Sequence, residues 1–249
     1  MTSLVLNNDK TQLLVSPKQE CHIKVGSSVI SSASEINLLG IDFDSTLSTI
    51  PYLHHLAREA KSRAALIHRL SFVMPPHLLK TIANGIVMGK ILTACPVTIP
   101  VKVNHDDNMY GYIGVIKDID KSIKATDRSI TKTKLCDKIQ SEVVLNKANL
   151  KILNEAVASI TLITVWKSKQ SMNPLGKCLF KEPNTQGSRT VQLRSDTSTD
   201  IRPPVPGYPM LASNIMTSVW NSVPDLQSAT TLAAAKRATY RWAKGLPKS

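Results

Sequence analysis

Pro51-Tyr52-Leu53-His54-His55-Leu56-Ala57-Arg58-Glu59-Ala60-Lys61-Ser62-Arg63-Ala64-Ala65-Leu66-Ile67-His68-Arg69-Leu70 decides the fold class of this chain. Leu53, Leu56, Ala60, Ala64, Ile67 and Leu70 recur at steps of three and four, which is the period of one helical face. Arg58, Lys61, Arg63 and Arg69 fall among the other positions. Such a helix buries its apolar stripe and turns its basic positions to solvent or to a partner.

Downstream of this helix, Pro75-Pro76 stops it and opens the next, since Pro suits a first helical turn. Leu78, Leu79, Ile82, Ile86 and Leu92 mark the second helix, with Lys80 and Lys90 on it, and Pro96 ends it. Residues 96–106 read as a connector. Ile113, Ile116, Ile119 and Ile123 predict a third helix within 107–125, headed by the acid pair Asp106-Asp107. Further helices are expected over 137–148 and 154–170, the latter capped by Asn154. Residues 173–209 carry Pro174, Pro183, Pro203, Pro204, Pro206 and Pro209 among Ser, Thr and Gly, which reads as a connector. Helical patches return at 210–220, ahead of Trp220, and at 228–244.

Upstream, the period is that of strands. Residues 11–16, 21–30 and 35–43 are apolar or alternating runs, and Gly40 in the third suggests a bulge or a close backbone approach. The expected fold is α+β and mainly helical. A small β-rich unit at 1–50 precedes a helical region at 51–172, a Pro-rich connector at 173–209 and a terminal helical segment at 210–249. The small sheet is expected to be open-edged.

Charge follows the same division. The 249 residues hold 31 Lys and Arg against 18 Asp and Glu, a net of +13. Residues 1–56 hold three bases and five acids, whereas residues 57–134 hold 13 bases and six acids. A basic balance of this size favours a polyanionic partner, nucleic acid above all. A solvated basic face with no partner is the plainer reading. No apolar run is long enough to span a membrane and the amino terminus is a poor signal peptide, so an intracellular location, nuclear or cytoplasmic, is expected. Cys21, Cys95, Cys136 and Cys178 share no CxxC spacing and read as reduced thiols. The six His residues make no metal-ligand pair, and no nucleotide-binding or nucleophile-elbow motif occurs.

Three segments, in order, carry a family resemblance. Leu6-Asn7-Asn8-Asp9-Lys10-Thr11-Gln12, followed by Leu13-Leu14-Val15, resembles the late palm element, motif D, of non-LTR (LINE-type) retrotransposon reverse transcriptases. Asn37-Leu38-Leu39-Gly40-Ile41-Asp42-Phe43-Asp44-Ser45-Thr46-Leu47-Ser48 is similar to their primer-grip segment. Trp220-Asn221-Ser222-Val223-Pro224 is close to the WNSLP signature near their end, with Arg189, Arg194 and Arg202 upstream. Each motif alone is weak, and the order makes them specific.

The resemblance implies a carboxy-terminal fragment of an RNA-directed DNA polymerase, spanning the end of the palm, the thumb and the region after it. It implies a template–primer partner, RNA–DNA or RNA, and a preceding polymerase region. Lys10 would contact incoming phosphates, Leu39 and Gly40 would approach the primer, and Arg58, Lys61, Arg63, Arg69, Lys80 and Lys90 would grip duplex phosphates. The structural counterparts are a Lys on a turn, a β-bulge and a solvated helix face. The family's (F/Y)xDD turn, whose carboxylates hold Mg2+, does not occur in these 249 residues. Asp106-Asp107 follows His105 and lies after the primer-grip-like segment, so it reads as helix-terminal charge. No catalytic set is intact, no cofactor is expected here, and the fragment is not expected to polymerise by itself. Two further readings stay open: a non-catalytic nucleic-acid-binding protein, and an inert relic of a transposable element.

Overall fold

The computed structural model describes residues 10–16, 18–26, 28–103, 111–133, 152–171, 173–180, 201–202, 204–206 and 211–245. Among them the chain is mainly helical with a few short strands, the α+β balance expected. Strand β1 (Leu13–Leu14) pairs parallel with β3 (Ser28–Ala33), which pairs antiparallel with β2 (His22–Val25) across a turn at Gly26. Burial alternates along β3, as it does when one face of a sheet is covered.

The run 35–43 is not one strand with a bulge. It is a hairpin, β4 (Glu35–Leu38) and β5 (Ile41–Asp44), turning at Leu39-Gly40. Both turn residues have positive φ, 53° and 83°, as the two-residue I′ turn requires. Asn37 stiffens the turn: its Oδ1 accepts from the Gly40 N–H and its Nδ2 donates to Asp42. Gln12 joins the hairpin to the chain's start by accepting the Asn37 N–H at 3.0 Å.

A tight loop follows β5. The Asp44 carboxylate accepts from the Thr46 and Ser48 N–H groups, and Leu47 takes a left-handed conformation. Helix α1 (Ile50–Leu70) then starts with Pro51 in its first turn. Leu53, Leu56, Ala60, Ala64 and Ile67 are buried, as their spacing predicts, and Leu70 is half-buried against the same core.

The partner of α1 is α5 (Tyr112–Thr131). Tyr112 sits beside Ser48 and Thr49, and Ser129 sits beside His68, so the two helices run parallel. Parallel neighbours need a crossover, and α2 (Pro76–Ala83), a π-helical turn (Asn84–Met88), α3 (Gly89–Leu92) and α4 (Cys95–Thr98) supply it. The π turn inserts one residue into the helical register. Leu78, placed on the buried stripe by its spacing, is exposed, while Leu79, Ala83, Val87 and Ile91 are buried.

The second half packs on α6 (Leu153–Ser171). Around it lie α7 (Pro174–Leu179), α8 (Ala212–Asn221), α9 (Pro224–Gln227) and α10 (Leu232–Ala243). Asn154 lies inside the first turn of α6, not at its cap. Its amide clasps the Lys102 peptide from both sides, donating to the carbonyl and accepting the N–H. Asn214 clasps Val205 in the same way. The connector reading of 173–209 is corrected for residues 174–180 and Ile201. Leu179, Phe180 and Ile201 are core residues, and Phe180 bridges to Ile201. Gly176 shows why this turn fits: a Cβ there would stand 2.2 Å from the Ser168 carbonyl oxygen. The expected helix over 137–148 and the pair Asp106-Asp107 lie outside the described residues.

The buried hydroxyl of Tyr112 fastens the start of α1. It accepts the Thr49 N–H at 2.9 Å and donates to Ser48 Oγ, while Thr49 Oγ1 donates to the Thr98 carbonyl. Removing one partner from a buried node costs the desolvation of the group left behind. Tyr112→Phe is expected to destabilise the chain by about 1–3 kcal/mol, read as a lowered midpoint in urea. A midpoint equal to the parent's would show that Ser48 and Thr49 pair without the phenol.

Candidate nucleic-acid interface

On α1 the cations divide into two sets. Arg58, Lys61 and Arg69 are exposed on the face opposite the apolar stripe, with His54 and His55 among them. None of the three forms an ion pair among the described residues. Arg58 instead donates to the His55 ring at 3.0 Å. Arg63 and Lys90 point to the other flank. Both meet Glu59, at 3.6 and 3.1 Å, and Arg63 also donates to the Ile86 carbonyl at 2.7 Å, inside the π turn. These two cations brace the crossover against α1. Lys80 is half-buried on α2 and forms no ion pair among the described residues.

Acid beside the exposed face comes from α5. A hydrogen bond from Lys121 holds the Asp118 carboxyl below its ordinary range, and Lys61 and His54 add to this from farther away. Asp120 is paired with Lys124 at 2.5 Å.

At the start of α1 stands the β4–β5 hairpin, with β5 packed on the helix. Leu39 at its tip is 97% exposed and left-handed, a conformation that costs a non-glycine residue about 1–2 kcal/mol. Gly40 takes the second turn position, where positive φ costs it little. Lys10 is exposed at the edge of the described chain, two residues before the Gln12 that braces the hairpin. Of the segment at 6–15, the described residues from Lys10 onward thus lie against the β4–β5 hairpin, which Gln12 joins through Asn37.

Trp220 is buried. Phe180 meets it edge-on at 5.4 Å, and the Lys169 ammonium lies 5.6 Å from each ring. Val223 is buried and Pro224 opens α9, so the WNSVP segment is a helix-to-helix joint. Cys21, Cys95 and Cys178 are free thiols, and burial pushes the Cys95 thiol up to about 12. Among the described residues no three His, Cys, Asp or Glu side chains converge as a metal site. Nor is any described helix long and apolar enough to cross a membrane. No family model, curated protein or solved structure matches the chain.

Asp127 escaped the sequence reading. It is fully buried on α5, and neither carboxylate oxygen has a hydrogen-bond partner among the described residues. Its position was the available signal, because Ile116, Asp120, Ile123, Asp127 and Ile130 continue one helical stripe. Burial, with a smaller push from Asp120, raises its pKa to about 7. A carboxyl raised in the folded state contributes most below its unfolded value and loses that contribution as pH climbs to the folded value. Stability is therefore expected to fall between about pH 4 and pH 7, by on the order of 4 kcal/mol from this residue, and to level off above. Asp127→Asn has no proton to lose. Its urea midpoint should exceed the parent's at pH 8 and converge with it near pH 4; equal midpoints at pH 8 would overturn the assignment.

Proposed function

We propose that this chain is a carboxy-terminal part of a retrotransposon RNA-directed DNA polymerase, and that its residues hold the template–primer duplex. The observation that carries the reading is the exposed row Arg58, Lys61 and Arg69 on α1, which forms no ion pair among the described residues and follows the hairpin bearing Leu39. A duplex presents phosphates in a regular line, and cations along a rigid helix match it without reading sequence. The order of the three motif-like segments supplies the family, and Gln12 with Asn37 supplies a spatial link between two of them. The role assigned here is phosphate gripping. The (F/Y)xDD turn does not occur in this sequence, and nucleotidyl transfer is not assigned to any residue described.

A non-catalytic nucleic-acid-binding protein is the second reading. It rests on the same cations, but not on Leu39 or on the motif order. The test is binding of residues 1–249 to an RNA–DNA hybrid across a salt series. The parent should bind tightly at low salt and weaken steeply as salt rises. Arg58→Gln, Lys61→Gln and Arg69→Gln combined should weaken binding more than tenfold and cut the log–log salt slope by about 2–3. Lys90→Gln, which removes a cation already held by Glu59, should leave the slope nearly unchanged. A flat salt response, or a triple variant that binds like the parent, would exclude both readings.

A further inference from the structure

Between α1 and α2 the chain exposes two neighbouring apolar side chains, Phe72 at 77% and Val73 at 80%. Single exposed apolar residues are ordinary, but an aromatic and a valine side by side on a turn form a small apolar tip. The turn is built firmly. The Val73 and Met74 N–H groups both return to the Leu70 carbonyl, and Pro75-Pro76 fixes the exit. Met74 anchors the turn from inside, half-buried against the core. His68 meets the Phe72 ring edge-on at 5.3 Å, which orients the ring while most of the residue stays open.

The neighbouring sequence is cationic and holds no acid. Between Glu59 and Asp106 the sequence holds no Asp or Glu, and the tip lies inside that stretch. Arg69 stands one helical turn before Phe72, and Lys80 lies in α2 just beyond it; neither forms an ion pair among the described residues. Ser129 Oγ lies 3.3 Å from His68 Nδ1, which places the carboxy-terminal end of α5, with exposed Lys132, beside the tip.

We infer that Phe72 is a stacking platform for an unpaired base of a single-stranded nucleic acid, with Arg69 and Lys80 on the flanking phosphates. A flat ring inside a cationic rim matches a strand whose base faces are open and whose backbone is anionic. In a duplex those base faces are covered by neighbouring bases, so the tip discriminates single strand from duplex. This deepens the nucleic-acid reading above and rests on it.

The experiment measures binding of residues 1–249 and its variants to a single-stranded oligouridylate and to a blunt RNA–DNA hybrid of the same length. Phe72 is largely exposed, so its substitution leaves the core intact. Phe72→Ala should weaken single-strand binding about tenfold, with the salt slope unchanged because no phosphate contact is lost. Phe72→Tyr keeps the ring and should bind the single strand as the parent does, while the hybrid affinity should be the same for all three proteins. Single-strand binding by Phe72→Ala equal to the parent's overturns the inference, as does an equal loss on single strand and hybrid. Phe72-dependent capture by phosphatidylserine vesicles, with oligouridylate binding untouched, overturns it in favour of a lipid surface. If the parent binds neither nucleic acid, the wider reading fails too. If Phe72→Ala is normal while the α1 triple variant loses the hybrid, only the stacking platform fails.

Discussion

The parallel packing of α1 against α5 constrains nearly everything else in the described structure. It is fixed at one end by the Tyr112 hydroxyl, which holds the Thr49 N–H, and it extends to Ser129 beside His68. Between these ends Leu53, Leu56, Ala60 and Ile67 meet a core that includes Ile116, Ile119 and Ile123. Burial of such side chains is the main favourable term in folding, on the order of 1.5–3 kcal/mol each before the entropy of ordering is set against it. Two helices in this relation cannot be joined by a short turn, so the chain must return along the pair before α5 begins.

That return accounts for the crossover and for the use of two cations. A π turn leaves helical carbonyls poorly matched, and the Arg63 guanidinium supplies a donor to one of them, Ile86. Glu59 then holds Arg63 and Lys90 together across the joint. A basic sequence can thus use part of its charge internally, and net charge overstates what a partner meets. The cations left over, Arg58, Lys61 and Arg69, share one face because the other faces of α1 are committed to α5, to β5 and to the crossover.

How much of this could be read beforehand depended on how local each cause was. The stripe of α1 was legible because its burial follows a strict helical period. The second helix was misread at Leu78 because two adjacent leucines in a first turn do not show which of them faces the core, and here it is Leu79. The hairpin at Leu39-Gly40 was missed because leucine is a poor left-handed residue, and Gly40 alone could as well have marked a bulge. Glu59 and Arg63 stand four apart, so their pairing was visible in principle; the share taken by Lys90, 31 positions from Glu59, was not. Residues 174–180 looked like connector because Pro174 opens the segment. The close approach of Gly176 to the Ser168 carbonyl, which docks it, depends on tertiary structure alone. Of the interface, the basic row was readable and the apolar tip was not, since exposure of Phe72 and Val73 depends on where the turn lies.

Positions where a sequence breaks local rules without a packing reason are where function is best sought. Asp127 breaks one, as a buried carboxyl with no partner among the described residues, but it is sealed in the core. Leu39 and Phe72 break theirs in the open, one left-handed at a hairpin tip and the other held on a proline-closed turn. They attach to opposite ends of α1. At about 1.5 Å per residue its 21 residues span roughly 30 Å, close to one turn of a duplex. Arg58, Lys61 and Arg69 lie along that span. A partner that met both ends and the row between them would need to be rigid over such a length, anionic along it and open-stacked at one end. A duplex with a single-stranded extension has these properties. A flexible anionic peptide has only the charge, and it would give no reason for the two exposed apolar groups.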